Sequence, residues 1–133
     1  MKKIVQLLAL LLLVACGGDA TGPADAGISG SYTLKSVGGA PLPAIVAQDA
    51  TGRIEITAGS LRLNDDKTFS GSISSRLVTS SSTQTSTDQL AGTYVRNNNA
   101  IVFNFNDGTQ DTGSLSGRQV TVTSSGFVLL FER

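Results

Sequence analysis

Three groups of residues carry chemistry in this chain. Cys16 is the only cysteine, a thiol placed where an apolar run ends. Asp111 falls among inward positions of an alternating strand, where a carboxylate must be paired, hydrogen-bonded or protonated. Asp65 and Asp66 are adjacent carboxylates that invite a cation, although their setting, Asn64-Asp65-Asp66-Lys67, is ordinary turn chemistry. Against these stands an absence: the 133-residue chain has no histidine. The usual general base at neutral pH and the commonest transition-metal ligand are therefore missing. No Gly-rich phosphate loop, metal-ligand spacing or nucleophile with a neighbouring base occurs. The expectation is a non-enzyme with no cofactor and no metal.

The residues around Cys16 define an address. Lys2 and Lys3 precede an apolar run from Ile4 to Ala15, which closes on a small residue. That order is a basic n-region, an h-region and a cleavage site, so residues 1–15 read as a signal peptide. About a dozen apolar residues fall short of the ~20 that a membrane-spanning helix needs. The ending Leu13-Val14-Ala15-Cys16 resembles the lipobox of bacterial lipoproteins. The resemblance implies that Cys16 is lipidated, becomes the new N terminus and holds the protein to a membrane of the bacterial cell envelope. Several acyl chains make such an anchor lasting, where one would not. With Cys16 used in this way no disulfide is expected, even in an oxidising compartment. Gly17 rather than an aspartate follows the cysteine, and by the enterobacterial sorting pattern this favours the outer membrane over the inner.

The chain carries 10 basic and 10 acidic side chains. Losing Lys2 and Lys3 with the signal leaves 8 against 10, a formal charge of −2. Such a balance offers no footprint for nucleic acid. Residues 16–29 are expected to be the lipidated cysteine and a flexible tether. A coil of that composition spans roughly 15–20 Å. Residues 30–133 form the domain.

From Gly30 the pattern is short alternating runs separated by turn clusters. Gly30 to Val37 reads as a first strand. Pro41 and Pro43 exclude a central strand, because neither can donate to a ladder. Ala44 to Ala50 reads as either a helical turn or a loop across one end. Ile54 and Ile56 occupy even positions and Leu61 and Leu63 odd ones; a two-residue turn at Ala58-Gly59 is expected to absorb the flip, where one long strand would need a bulge. A three-residue loop puts Lys67 in the left-handed region and pairs Leu63 with Phe69. Residues 79–87 are the polar tip of a long hairpin or a mobile loop. Leu115 pairs with Val120 across Gly117-Arg118. The last strand, Phe127 to Phe131, is apolar on both faces, so its outer face is expected to be covered by Ala44 to Ala50, or else to meet a membrane or partner.

Eight or nine short strands joined mostly by tight turns predict an all-β antiparallel meander, closed as a barrel, with a sandwich as the alternative. Gly30-Ser31-Tyr32 resembles the Gly-x-Trp that opens lipocalin-like barrels, with tyrosine in the aromatic place. Leu90 to Phe105, with Gly92-Thr93-Tyr94, is similar to the later strands of lipocalin-like lipoprotein domains. The resemblance assigns an arginine to pack on the opening aromatic, and Arg133 is an imperfect candidate for it.

A three-residue loop at Asn106-Asp107-Gly108 pairs Phe103 with Asp111 and Ile101 with Gly113. Asp111 then lies inside, with Tyr94 on the far side of Phe103 and Arg96 a step further along. Asp111, Tyr94 and Arg96 are the candidate ligand-binding or internal polar residues; the alternative places Asp111 near the mouth, solvated or paired with Arg96. Function is read as a membrane-tethered, non-catalytic binding or interaction module, meeting a small apolar ligand or an envelope protein. The alternative is a structural lipoprotein whose barrel is filled by its own aromatic side chains.

Overall fold

The computed structural model describes residues 27–133. The expected signal peptide, Cys16 and most of the tether lie outside the described residues. Ten strands follow in order: β1 (Gly30–Val37), β2 (Ala40–Pro41), β3 (Ala44–Gln48), β4 (Gly52–Leu63), β5 (Thr68–Thr79), β6 (Thr83–Asn97), β7 (Ala100–Phe105), β8 (Gln110–Ser116), β9 (Gln119–Ser124) and β10 (Phe127–Glu132). From β3 to β10 every strand pairs antiparallel with the next. β1 closes the ring, pairing with β10 through Thr33–Val37 and with β4 through Gly30–Thr33. β1 and β4–β10 are therefore an eight-strand closed barrel, with β2 and β3 as additions at one end. Closure removes the free edges that a flat meander would expose.

Turn chemistry sets much of the register. Lys67 has φ 69° in the loop after β4, and Leu63 pairs with Phe69. Leu115 pairs with Val120, and Phe103 with both Tyr94 and Asp111. Three aspartates build the same local turn: Asp49, Asp66 and Asp107 each accept the backbone N–H and the hydroxyl of the threonine two residues on. Asp66 is thereby used by its own turn, and Asp65 accepts the Ser29 hydroxyl.

Two expectations are corrected. The turn at Ala58-Gly59 does not form. β4 runs unbroken against β5 from Gly52↔Thr79 to Leu63↔Phe69, and the phase flip is absorbed by a bulge between Ile56 and Ala58. Thr57 is the extra residue, and its hydroxyl donates to the Ser74 carbonyl at 3.2 Å. Gly59 serves close packing instead of turning: a Cβ there would stand 2.8 Å from Leu34 Cδ2. A hairpin at this point would have left the far half of β5 without a partner. Ala44 to Gln48, read as a helical turn or loop, is strand β3, paired with β4 through Ala44↔Ile56 and Gln48↔Arg53 and itself bulged at Val46.

Residues 79–87 are the tip of the long β5–β6 hairpin, the first of the two options. The outer face of β10 is not closed over, since Val128 stays 45 % exposed.

Candidate ligand cavity

One end of the barrel is packed solid. Tyr94, Phe103, Leu63, Ile101 and Val120 are fully buried there. The Tyr94 hydroxyl donates to the Asn64 carbonyl at 2.7 Å, its N–H donates to the Lys67 carbonyl at 2.8 Å, and the Lys67 ammonium stands 5.7 Å from the centre of its ring. The Tyr32 hydroxyl donates to the Ile28 carbonyl at 2.5 Å. Burial pushes both phenols above their ordinary pKa, and for Tyr32 the charges of Arg133 and Arg96 pull partly the other way. Both ends of the described chain meet here: Arg133 donates to the carbonyls of Ser29, at 3.1 Å, and Gly27.

The other end is open. Above Phe69, Phe103 and Phe131 lies a cavity of about 100 Å³. The Phe69 ring meets Phe103 edge-to-face at 5.1 Å and Phe105 at 5.3 Å. That cluster depends on Gly92, which pairs with Phe69 on one side and Phe105 on the other. A Cβ at Gly92 would lie 1.9 Å from the Asn104 carbonyl oxygen and 2.9 Å from the Phe69 ring. The polar residues of the cavity wall are Asp111 and Ser124. Outside it a wider concavity of about 370 Å³ is bounded by Val37, Val46, Ile56, Phe127 and the carboxylate-bearing Asp88. The two spaces adjoin, with Ile73, Leu90, Ser124 and Leu129 as shared walls.

The three sequence candidates separate. Asp111 lies on the inner wall of the cavity, half-buried. Tyr94 is committed to the packed end. Arg96 lies beside the β6–β7 turn, its Nε donating to the Asn98 carbonyl at 2.7 Å. Neither Tyr94 nor Arg96 lines the cavity. Ser124 was not singled out from the sequence, although it shares the inward phase of Val120 and Val122, and that phase could have found it. Among the described residues no group of three or more His, Cys, Asp or Glu is placed to hold a metal ion.

The fold is an antiparallel, closed eight-strand barrel with one packed end and one open, mostly apolar mouth, an architecture whose interior is either filled by side chains or holds one small ligand. No protein-family model matches the chain, and no curated protein matches it. Among solved structures it is similar to the Cpx pathway activator NlpE from Escherichia coli, at 19 % identity and a TM-score of 0.42. The likeness covers 60 % of this chain and 39 % of that one.

Proposed function

We propose that this protein is a lipid-anchored lipoprotein of the bacterial envelope whose barrel binds a small, largely apolar ligand without transforming it. The observation that carries the reading is the mostly apolar cavity inside the barrel, adjoining a wider mouth across Ile73, Leu90, Ser124 and Leu129. A barrel filled wholly by its own side chains would have no such space. The packed half supplies rigidity, and the open half supplies a seat of about 100 Å³ beside a mouth of about 370 Å³. The lack of histidine supports a non-catalytic role. The anchor, on Cys16 after loss of residues 1–15, rests on the Leu13-Val14-Ala15-Cys16 pattern, as does an outer-membrane location. Residues 16–29 then serve as the lipidated cysteine and tether, and 30–133 as the binding domain.

A fluorescent apolar probe such as N-phenyl-1-naphthylamine tests the site on the full-length protein in a non-ionic detergent. Binding that saturates, and that is lost when Leu90→Trp fills the cavity, is the expected result. A barrel that takes up no probe, or a Leu90→Trp variant that binds unchanged, would refute the reading.

A further inference from the structure

The cavity has a polarity that narrows its ligand. Asp111, half-buried, lines a mostly apolar space, and no hydrogen bond or ion pair ties its carboxylate to another described residue, so solvent still reaches it. No lysine or arginine lines either the cavity or the mouth, whereas the rim adds a second carboxylate, Asp88. A fatty acid or other anion would meet repulsion here with no counter-charge. A purely neutral ligand would desolvate the carboxylate and give nothing back.

A cation restores the balance, and the walls favour one kind. Four of the surrounding side chains, Phe69, Phe103, Phe105 and Phe131, are phenyl rings, and ring faces attract ammonium groups. A primary ammonium brings three N–H donors, but Asp111 and Ser124 are the polar residues available to receive them. A methylated ammonium has few donors or none to satisfy, and its methyl groups suit an apolar wall. Size agrees: a cavity of about 150 Å³ takes the six carbons of benzene, so one near 100 Å³ suits roughly four heavy atoms. That is the scale of a methylated ammonium head, with the remainder of the ligand lying in the mouth.

We infer that the barrel recognises an amphipathic monocation, seating its methylated ammonium head beside Asp111 and its apolar tail along Leu90 and Leu129. The inference rests on the binding-barrel reading above and adds the charge of the ligand to it. Calorimetry on the full-length protein in a maltoside detergent, corrected by titration of the micelles alone, compares hexyltrimethylammonium, hexan-1-ol and hexanoate. The cation is expected to bind about tenfold more tightly than the alcohol, in keeping with a charge pair plus ring contacts, and hexanoate more weakly than either. Asp111→Asn should remove about that tenfold advantage, while Asp88→Asn at the exposed rim changes it less than about twofold. Alcohol and cation binding equally would overturn this inference and leave the cavity reading standing. Binding of none of the three would overturn both. An equal loss in Asp88→Asn would mean attraction by general charge, against a seat at Asp111. Should Asp111→Asn fail to fold, the wild-type ranking of the three probes decides.

Discussion

The Arg133 guanidinium lies over the face of Tyr32, its carbon 5.5 Å from the ring centre. The contact joins the last residue of the chain to the first strand and caps the packed end of the barrel. The same side chain binds the carbonyl of Ser29 at 3.1 Å, so three elements converge on one fork of donors. Arg133→Ala should lower stability by about 1–2 kcal/mol, the sum expected of a partly desolvated cation–ring contact and charged hydrogen bonds. Arg133→Lys should recover only part of it, because an ammonium cannot reproduce the planar fork. Urea midpoints of the three proteins measure this, and a full rescue by lysine would show that charge alone matters.

Gly92 is the point where two strands and two rings crowd together. Gly92→Ala should cost about 2–3 kcal/mol, since its methyl meets backbone as well as the Phe69 ring. A melting temperature unchanged by this variant would contradict the close approach of β6 to β7.

Core and mouth should respond differently to the same truncation. Phe103, 2 % exposed, should lose about 3–5 kcal/mol on replacement by alanine. Phe127, 36 % exposed at the rim, should lose less, about 1–2 kcal/mol, because part of its ring already meets water and its removal leaves no enclosed cavity. Equal losses would deny the division into a packed and an open end.

Much of this arrangement is legible in the sequence because short turns fix register locally. Asn64 to Thr68, Asn106 to Thr109 and Gly117-Arg118 each dictate which residues face each other, so Leu63–Phe69, Phe103–Asp111 and Leu115–Val120 follow from counting. The bulge at Thr57 is not local. It exists because β5 continues past it, and only the pairing of Gly52 with Thr79 makes an unbroken β4 favourable. Strand β3 is hidden for a similar reason: its bulge at Val46 breaks the alternation, and Pro41 and Pro43 beside it suggest a loop. The inward position of Asp111 is a matter of parity, but the cavity in front of it depends on how far Phe69, Phe103 and Phe105 lean toward Gly92, which no spacing encodes.

Acid should unfold this barrel through a few identifiable carboxyls. Glu55 is held below its ordinary pKa by hydrogen bonds from Arg53, at 2.6 Å, and Arg76. Asp49, Asp66 and Asp107 are held down mainly by their threonine partners. Each therefore binds protons more readily unfolded than folded, so its contribution is complete above the ordinary values, 4.5 for Glu55 and 3.8 for the aspartates. It is lost as the pH falls through the depressed folded values. Melting temperature should stay level from neutrality to about pH 5 and decline below about pH 4. Glu55→Gln should melt lower at neutral pH and decline less steeply in acid. A wild-type melting temperature that rises on acidification would reverse the sign and reject the assignment.

Lipid attachment makes its own prediction. Expressed in a bacterial host, the wild-type chain should take up labelled fatty acid and partition into detergent, while Cys16→Ser should take up no label and be left unprocessed or released. Label on the Cys16→Ser chain would sink the assignment of the anchor to Cys16.

The meeting of Gly27 with Arg133 at the packed end puts the segment ahead of Gly27 at the floor of the barrel, opposite the mouth. β4 has 12 residues, about 40 Å along the strand, and with the usual tilt of a barrel strand this becomes roughly 30 Å of height. On an anchored protein the attachment would lie at one end of this height and the ligand's entrance at the other. A flexible tether would then let the opening turn through many directions while keeping floor and mouth a full barrel length apart.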